Sequence, residues 1–264
     1  MSNGSNPAFD SARRSVRARA VNRVGWRAGT ERLRGFAQAL LPQACALCAA
    51  PAGNALVCNA CARDLPQLAA ACPVCALPRS DGEICGACLR KPPPFAATIA
   101  PFLYAYPIDR LLWQLKFRGR LCYAEWAAAA LAAAVLDAYR SRATHLRPDR
   151  VVALPLASSR QRERGFNQAQ EIAARVAHSI GLPNVPALER TVASPPQAGL
   201  ALSARARNVR GAFASRVTLT GARVALVDDV MTSGATLGAA ATALRSAGAA
   251  HVECWIVART PPPA

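Results

Sequence analysis

Lysine, histidine and aromatic side chains are what this 264-residue chain has least of. Lys91 and Lys116 are its only lysines, so nearly all of its 32 cationic residues are arginines; 15 acids leave a formal net charge of +17. Arginine presents a rigid fork suited to phosphate, which turns the composition toward phosphorylated ligands or nucleic acid. An Ala/Arg-rich codon bias gives the same balance, and charge speaks to partners, not to fold. Aromatic residues at 6% leave few platforms for stacking bases, which counts against a dedicated single-strand binder. His145, His178 and His251 fall in no constellation and are assigned no role.

Long apolar runs are missing too. The uncharged stretch from Trp126 to Leu136, flanked by Glu125 and Asp137, falls far short of the roughly 18–20 apolar residues a membrane span needs. No compact apolar signal region stands near the start. Arg13, Arg14, Arg17, Arg19, Arg23 and Arg27 with few acids match a transit peptide in composition and a disordered basic tail equally well. A cytoplasmic, reducing location is the expectation. Hydrophobic residues at 52% suffice for a core, although much of that is alanine, which favours helix and buries little area per residue.

What is present is sharply organised. Eight of the ten cysteines form four Cys-x-x-Cys pairs, Cys45/Cys48, Cys58/Cys61, Cys72/Cys75 and Cys85/Cys88, separated by nine, ten and nine residues. Each pair turns two thiolates toward one metal, and two pairs close a tetrahedral site. Four pairs therefore make two structural zinc sites, read as two successive ribbons. The spacing alone leaves an interleaved, cross-brace pairing open, and iron–sulfur ligation as a lesser alternative. A segment this short builds little core, so metal supplies most of its folding energy. Cys122 and Cys254 lie in apolar stretches and read as small core residues.

Pro92-Pro93-Pro94 marks a stiff linker. The expected organisation is a basic tail over 1–42 with a short helix from Glu31 to Leu41, a double zinc ribbon over 43–92, and an α/β domain over 93–264. In that domain, Phe95 to Tyr106 reads as one or two strands. Ile108, Leu111, Leu112 and Leu115 make a helix stripe ending near Gly119, and 121–143 a long Ala-rich helix. Strands are expected at Val151–Leu154, Val224–Val227 and Val252–Ala258, with helices at Gln168–Ile180 and Leu237–Ala247 between them. This alternation predicts a parallel sheet flanked by helices.

The sharpest motif runs from Val224 through Asp228-Asp229-Val230-Met231 to Thr232-Ser233-Gly234-Ala235-Thr236. An apolar strand ends at two carboxylates, at the strand end where α/β sheets bind ligands. A hydroxyl- and glycine-bearing loop and a helix follow, offering amides, hydroxyls and a helix dipole to a phosphate. A ribose 5-phosphate satisfies both ends, phosphate in the loop and hydroxyls on the acids. No Gly-Lys follows, so this is not a Walker loop.

These residues resemble the signature of type I phosphoribosyltransferases. With the cysteine pairs, Leu115-Lys116-Phe117-Arg118-Gly119, Arg162-Glu163-Arg164-Gly165-Phe166-Asn167-Gln168, Pro196-Gln197-Ala198-Gly199-Leu200 and Asn208-Val209-Arg210-Gly211-Ala212-Phe213, the chain from about residue 40 onward resembles the ComF family, which includes competence-associated and GntX-type proteins. The resemblance implies magnesium-bound phosphoribosyl pyrophosphate (PRPP), with Thr232, Ser233, Gly234, Ala235 and Thr236 on the 5-phosphate and Asp228 and Asp229 on the ribose hydroxyls. It places pyrophosphate at the turn Pro155-Leu156-Ala157. Arg160, Arg162, Arg164, Arg205 and Arg210 are candidates to clamp it, with a solvated basic surface as the plainer reading. Asn167 reads as a helix cap, Lys116 as a surface lysine at a helix end, and the Pro/Gly-rich segment from Ser194 to Arg210 as a lid. The resemblance also implies a link to DNA uptake. Three functions stay open: a phosphoribosyltransferase with an unknown acceptor, a single-strand nucleic-acid-binding accessory, and a PRPP sensor without turnover.

Overall fold

A computed structural model describes residues 43–140, 147–191 and 211–261. The expected basic tail, the helix over 31–41, and the segment from Ser194 to Arg210 with Arg205 lie outside the described residues.

Two ribbons come first and repeat at an offset of 27 residues, cysteine for cysteine. In each, the first Cys-x-x-Cys turn is closed by a short antiparallel bridge, Ala44 to Pro51 and Ala71 to Pro78. The residue after each of these turns, Ala49 and Ala76, takes a left-handed backbone with φ of 60° and 53°. Its amide donates back to the first cysteine's carbonyl, at 2.9 and 2.8 Å. One-turn helices α1 (Asn59–Arg63) and α2 (Gly86–Arg90) carry the last cysteine of each ribbon.

The remainder is α/β. Strands β1 (Ala97–Ile99) and β2 (Phe102–Leu103) form one interrupted edge. Helix α3 (Ile108–Arg118) buries Ile108, Leu111, Leu112 and Leu115 and ends at left-handed Gly119, as its stripe predicts. Helix α4 (Cys122–Ala138) follows, then β3 (Arg150–Ala153), α5 (Ser158–Arg164) and α6 (Gln168–Ile180). Strands β4 (Leu188–Arg190) and β5 (Phe213–Ser215) pair as an antiparallel ribbon. The chain closes with β6 (Arg223–Met231), α7 (Ala235–Ser246) and β7 (His251–Arg259).

The main sheet is wholly parallel in the order β1-β7-β6-β3, with β2 continuing the edge beside β7. Alternate residues of its central strands feed two cores, as a sheet covered on both faces requires. Ala225, Val227, Trp255 and Val257 pack with α3, α4 and α6. Val224, Leu226, Cys254 and Ile256 pack with α7 and the β4–β5 ribbon. The expected parallel sheet flanked by helices is therefore the one observed.

The zinc module lies along the outer edge of that sheet. Leu103 donates its amide to the Pro66 carbonyl (2.8 Å), Leu68 to Pro101 (2.9 Å), and Thr98 to Pro73 (3.1 Å). The Thr98 hydroxyl adds a bond to the Val74 carbonyl at 2.7 Å. Cys45, Val57 and Leu65 join the core under α3 and α4. An edge strand's unpaired amides and carbonyls are thus covered by the ribbons instead of being left as a template for aggregation.

Two expectations need correction. The strand expected to stop at Val227 continues through both acids to Met231, with Asp228 opposite Ile256 and Met231 opposite Arg259. Cys122, expected in the core, is exposed at the first turn of α4. In an alanine-rich helix nearly every position looks apolar, and only packing decides which side faces in. Cys254 is buried as expected. Among the described residues no helix is long and apolar enough to cross a membrane.

Candidate functional site

Two tetracysteine clusters are arranged to hold a metal ion each. The sulfurs of Cys45, Cys48, Cys58 and Cys61 lie within 4.8 Å of one another, and so do those of Cys72, Cys75, Cys85 and Cys88. The pairing is therefore successive, not interleaved. The Cys48–Cys58 and Cys75–Cys85 sulfurs stand 3.7 Å apart. Four ligands at zinc–sulfur distances of about 2.3 Å give a tetrahedral edge of about 3.8 Å. No cysteine forms a disulfide.

Backbone donors prepare these thiolates. Cys58 donates to the Cys45 sulfur and Cys85 to the Cys72 sulfur, both at 3.3 Å. Burial opposes ionisation of Cys45, but amides of Cys58, Cys48 and Leu47 outweigh it and hold the thiol down at about 6. The same balance brings Cys72 to about 7. Such donors to metal-bound sulfur fix ligand orientation and spread its charge. Closed four-cysteine sites offer no open position, so their part is structural.

A separate acidic site sits where β6 meets α7. Asp228 is half-buried and Asp229 only 4% exposed, both inside the C-terminal half of a central strand. Each acid turns partly onto its own backbone: Asp228 Oδ1 accepts from the Asp229 amide and Asp229 Oδ1 from the Val230 amide, both at 2.8 Å. Burial first, then the Asp229 charge, holds the Asp228 carboxyl well above the usual carboxylate range. A carboxyl in that state is ready to ionise when a cation or hydroxyl donors arrive.

Lys116 completes the pair. Its Nζ stands 2.7 Å from Asp229 Oδ2, with the lysine side chain 19% exposed. Burial pushes the ammonium down, but the Asp229 charge more than offsets it and the net shift is upward. The surface lysine expected from sequence is thus a half-buried counter-charge of the acidic pair. The signal was its isolation, one of two lysines in an arginine-rich chain.

After Met231 the chain leaves the sheet. Thr232 and Ser233 are exposed, and Gly234 takes a left-handed φ of 76° ahead of α7. A Cβ there would meet nothing closer than 3.7 Å, so conformation and not space selects glycine. The Ser233 hydroxyl accepts from the Ala235 amide at 3.3 Å. Helix α7 has no acid in its first turn, which leaves its amino-terminal dipole uncompensated.

The neighbouring strand brings the third component. Leu154 donates its amide to the Val227 carbonyl at 2.9 Å, so the turn 155–157 emerges beside Asp228. Asn167 caps α6 through the Ala169 amide, as expected, and its Nδ2 also donates to the Leu154 carbonyl, both at 3.0 Å. That second bond ties the turn to α6. Arg160 and Arg162 are exposed. Arg164 is half-buried, its guanidinium 4.9 Å above the Phe117 ring, and its Nε is buried with no hydrogen-bond partner among the described residues. A Cβ on Gly119 would lie 3.8 Å from the Phe166 ring. The two segments Leu115–Gly119 and Arg162–Gln168 thereby meet beside the acids. Arg205 and Arg210 lie outside the described residues.

The cysteine module has a counterpart among known families. Residues 36–89 match the double zinc ribbon domain family. The DNA utilization protein YhgH of Salmonella typhimurium is 37% identical over 158 residues, which cover 60% of this chain and 69% of that protein. YhgH of Escherichia coli is 35% identical with the same coverage. Competence protein F of Haemophilus influenzae is 32% identical over 160 residues, 59% of this chain and 69% of that one. Among solved structures, a Bacillus subtilis glutamine PRPP amidotransferase is 23% identical with a TM-score of 0.33, over 50% of this chain and only 26% of that one. A purine phosphoribosyltransferase of Pyrococcus horikoshii is 17% identical with a TM-score of 0.32, over 61% and 77%. Identity above 30% across more than two thirds of its relatives, with the double zinc ribbon ahead of the parallel sheet, makes this chain a member of the ComF family, alongside competence protein F and YhgH.

Proposed function

We propose that this chain binds magnesium-bound PRPP between the β6–α7 loop and the turn after β3, and serves DNA utilisation in a reducing, cytoplasmic compartment. The observation that carries this reading is the convergence, on adjacent parallel strands, of the Asp228–Asp229 pair with its Lys116 counter-charge, the glycine- and hydroxyl-bearing loop into α7, and the turn after β3. Thr232, Ser233, Gly234, Ala235 and Thr236 would hold the 5-phosphate through amides and hydroxyls. Asp228 and Asp229 would hold the ribose hydroxyls, with magnesium supplying charge neutralisation for the diphosphate. Arg164, whose Nε has no hydrogen-bond partner among the described residues, would clamp the pyrophosphate together with Arg205 and Arg210.

Transfer, where an acceptor is present, displaces pyrophosphate from C1 of the ribose with inversion. The protein's share is positioning and stabilisation of the leaving group's charge. A thermal-shift titration with PRPP and magnesium tests the binding. The expected result is a rise in melting temperature that Asp228→Asn/Asp229→Asn removes. An equal rise in that variant would place the ligand elsewhere.

A second reading has its own observation. Trp113 and Phe117 are 41% and 55% exposed on α3, with ring centroids 5.7 Å apart. Arg118 lies 5.4 Å over Trp113 and Arg164 covers Phe117. Aromatic faces interleaved with guanidinium groups are what a single strand of nucleic acid stacks on. Two rings in the right place offset the low aromatic content, and the relatives' names point to DNA. Trp113→Ala/Phe117→Ala should then weaken single-stranded DNA binding about tenfold, and binding should fall steeply with salt. Unchanged affinity in that variant rejects the platform.

A further inference from the structure

Arg259 ends β7 and is only 6% exposed. Its Nε donates to the Cys75 carbonyl at 2.9 Å. Its Nη1 donates to the carbonyls of Met231 (3.1 Å), Thr232 (2.5 Å) and Thr260 (2.7 Å). Cys75 is a ligand position of the second tetracysteine centre, and Thr232 opens the loop into α7. One buried guanidinium therefore grips a metal knuckle with one edge and the proposed phosphate loop with the other.

We infer that Arg259 is a positioning residue that couples metal occupancy of the second tetracysteine centre to phosphate binding by the 232–236 loop; this rests on the reading of that loop given above. Two physical facts carry it. A trans peptide sets C=O and N–H in opposite directions. Drawing the Thr232 carbonyl inward to Arg259 turns the Ser233 amide outward, toward the exposed side of the loop where a phosphate needs a donor. The second fact is charge. Among the described residues Arg259 has carbonyl partners and no carboxylate. Four thiolates around one zinc carry a formal charge of about −2, which is the counter-charge a buried guanidinium requires. Metal loss, by chelation or thiol oxidation, removes that charge and frees the Cys75 carbonyl, so Arg259 no longer holds the loop in its binding form. Among the described residues the first centre has no such link to the loop.

Linkage makes the effect reciprocal: a ligand on the loop must tighten metal at the second centre. The test is an equilibrium competition titration of the full-length, zinc-loaded protein against a chromophoric chelator, with and without saturating ribose 5-phosphate, whose binding is measured in parallel by calorimetry. The expected result is that one of the two zinc equivalents is held about fivefold more tightly, or better, with ligand, a coupling of ordinary size, while the affinity of the other is unmoved. In Arg259→Lys, which keeps the charge but not the fork, the protection disappears and ligand binding weakens about tenfold. Calorimetric binding without selective protection in the wild type overturns the coupling and leaves the loop's role standing. No calorimetric binding overturns both. The wild-type comparison decides the matter even if the variant folds poorly.

Discussion

At the residue scale the site is a problem in compensating buried charge. Asp229 is held by Lys116, and removing the lysine alone leaves the buried carboxylate without its counter-charge. Lys116→Met should therefore destabilise the fold by between about 1 and 3 kcal/mol, less than a fully dry pair because the site opens to ligand. Adding Asp229→Asn should recover part of that loss, as a double-mutant cycle in denaturant would measure. Asp228 makes a pH-dependent contribution. Its folded carboxyl binds a proton more tightly than the unfolded one, because burial and Asp229 raise it. That contribution favours the fold fully at low pH and is lost as pH rises above about 4 toward the folded value. Asp228→Asn should thus raise the melting temperature, by a margin that widens as pH rises above about 4. A margin constant over that rise would show that Asp228 keeps an ordinary affinity for its proton. Both acids were legible in sequence because they stand together after four apolar residues. Lys116 was not, since its partner lies 113 positions away and its own helix presents an ordinary amphipathic stripe.

At the element scale, periodicity carried most of the fold. The stripe of α3, the cap and stripe of α6, and the doubly buried runs of β6 and β7 are patterns that sequence shows directly. Elements without periodicity stayed hidden. Helix α5 buries no residue, and β4 and β5 are three-residue strands paired across 22 intervening positions. The extension of β6 was hidden for another reason: two adjacent carboxylates look like a strand terminator, yet here they accept from backbone amides of their own strand. Asn167 serves two elements, capping α6 and tying the turn after β3. Asn167→Ala should cost about 1–2 kcal/mol in denaturant unfolding. Asn167→Asp, which keeps the cap but cannot donate to Leu154, should retain most of the stability and still weaken binding of a pyrophosphate-bearing ligand.

At the scale of the whole molecule, the zinc module and the sheet are one packed structure. The cysteine spacing revealed both metal sites, and in the structure the ribbons cover the β1/β2 edge and feed residues into the core under α3 and α4. That docking was not legible, because prolines 92–94 look like a spacer and nothing in the cysteine pattern says what the ribbons lie against. The consequence is that metal stabilises more than the ribbons. Elemental analysis should find two zinc atoms per chain, and chelation should lower the melting temperature of the entire molecule in one transition and promote aggregation through the uncovered edge. Two separate transitions, with the α/β part unmoved, would mean that the edge contacts contribute little.

The central claim is that the acid pair and the β6–α7 loop form a PRPP site. Calorimetric titration of the wild type with PRPP, with and without magnesium, tests it most directly. One ligand per chain, magnesium-dependent and lost in Asp228→Asn/Asp229→Asn, is the predicted result. A folded, zinc-loaded protein that gives no binding heat under either condition, while still binding single-stranded DNA, would contradict it and leave the arginine-flanked aromatic face of α3 as the functional surface.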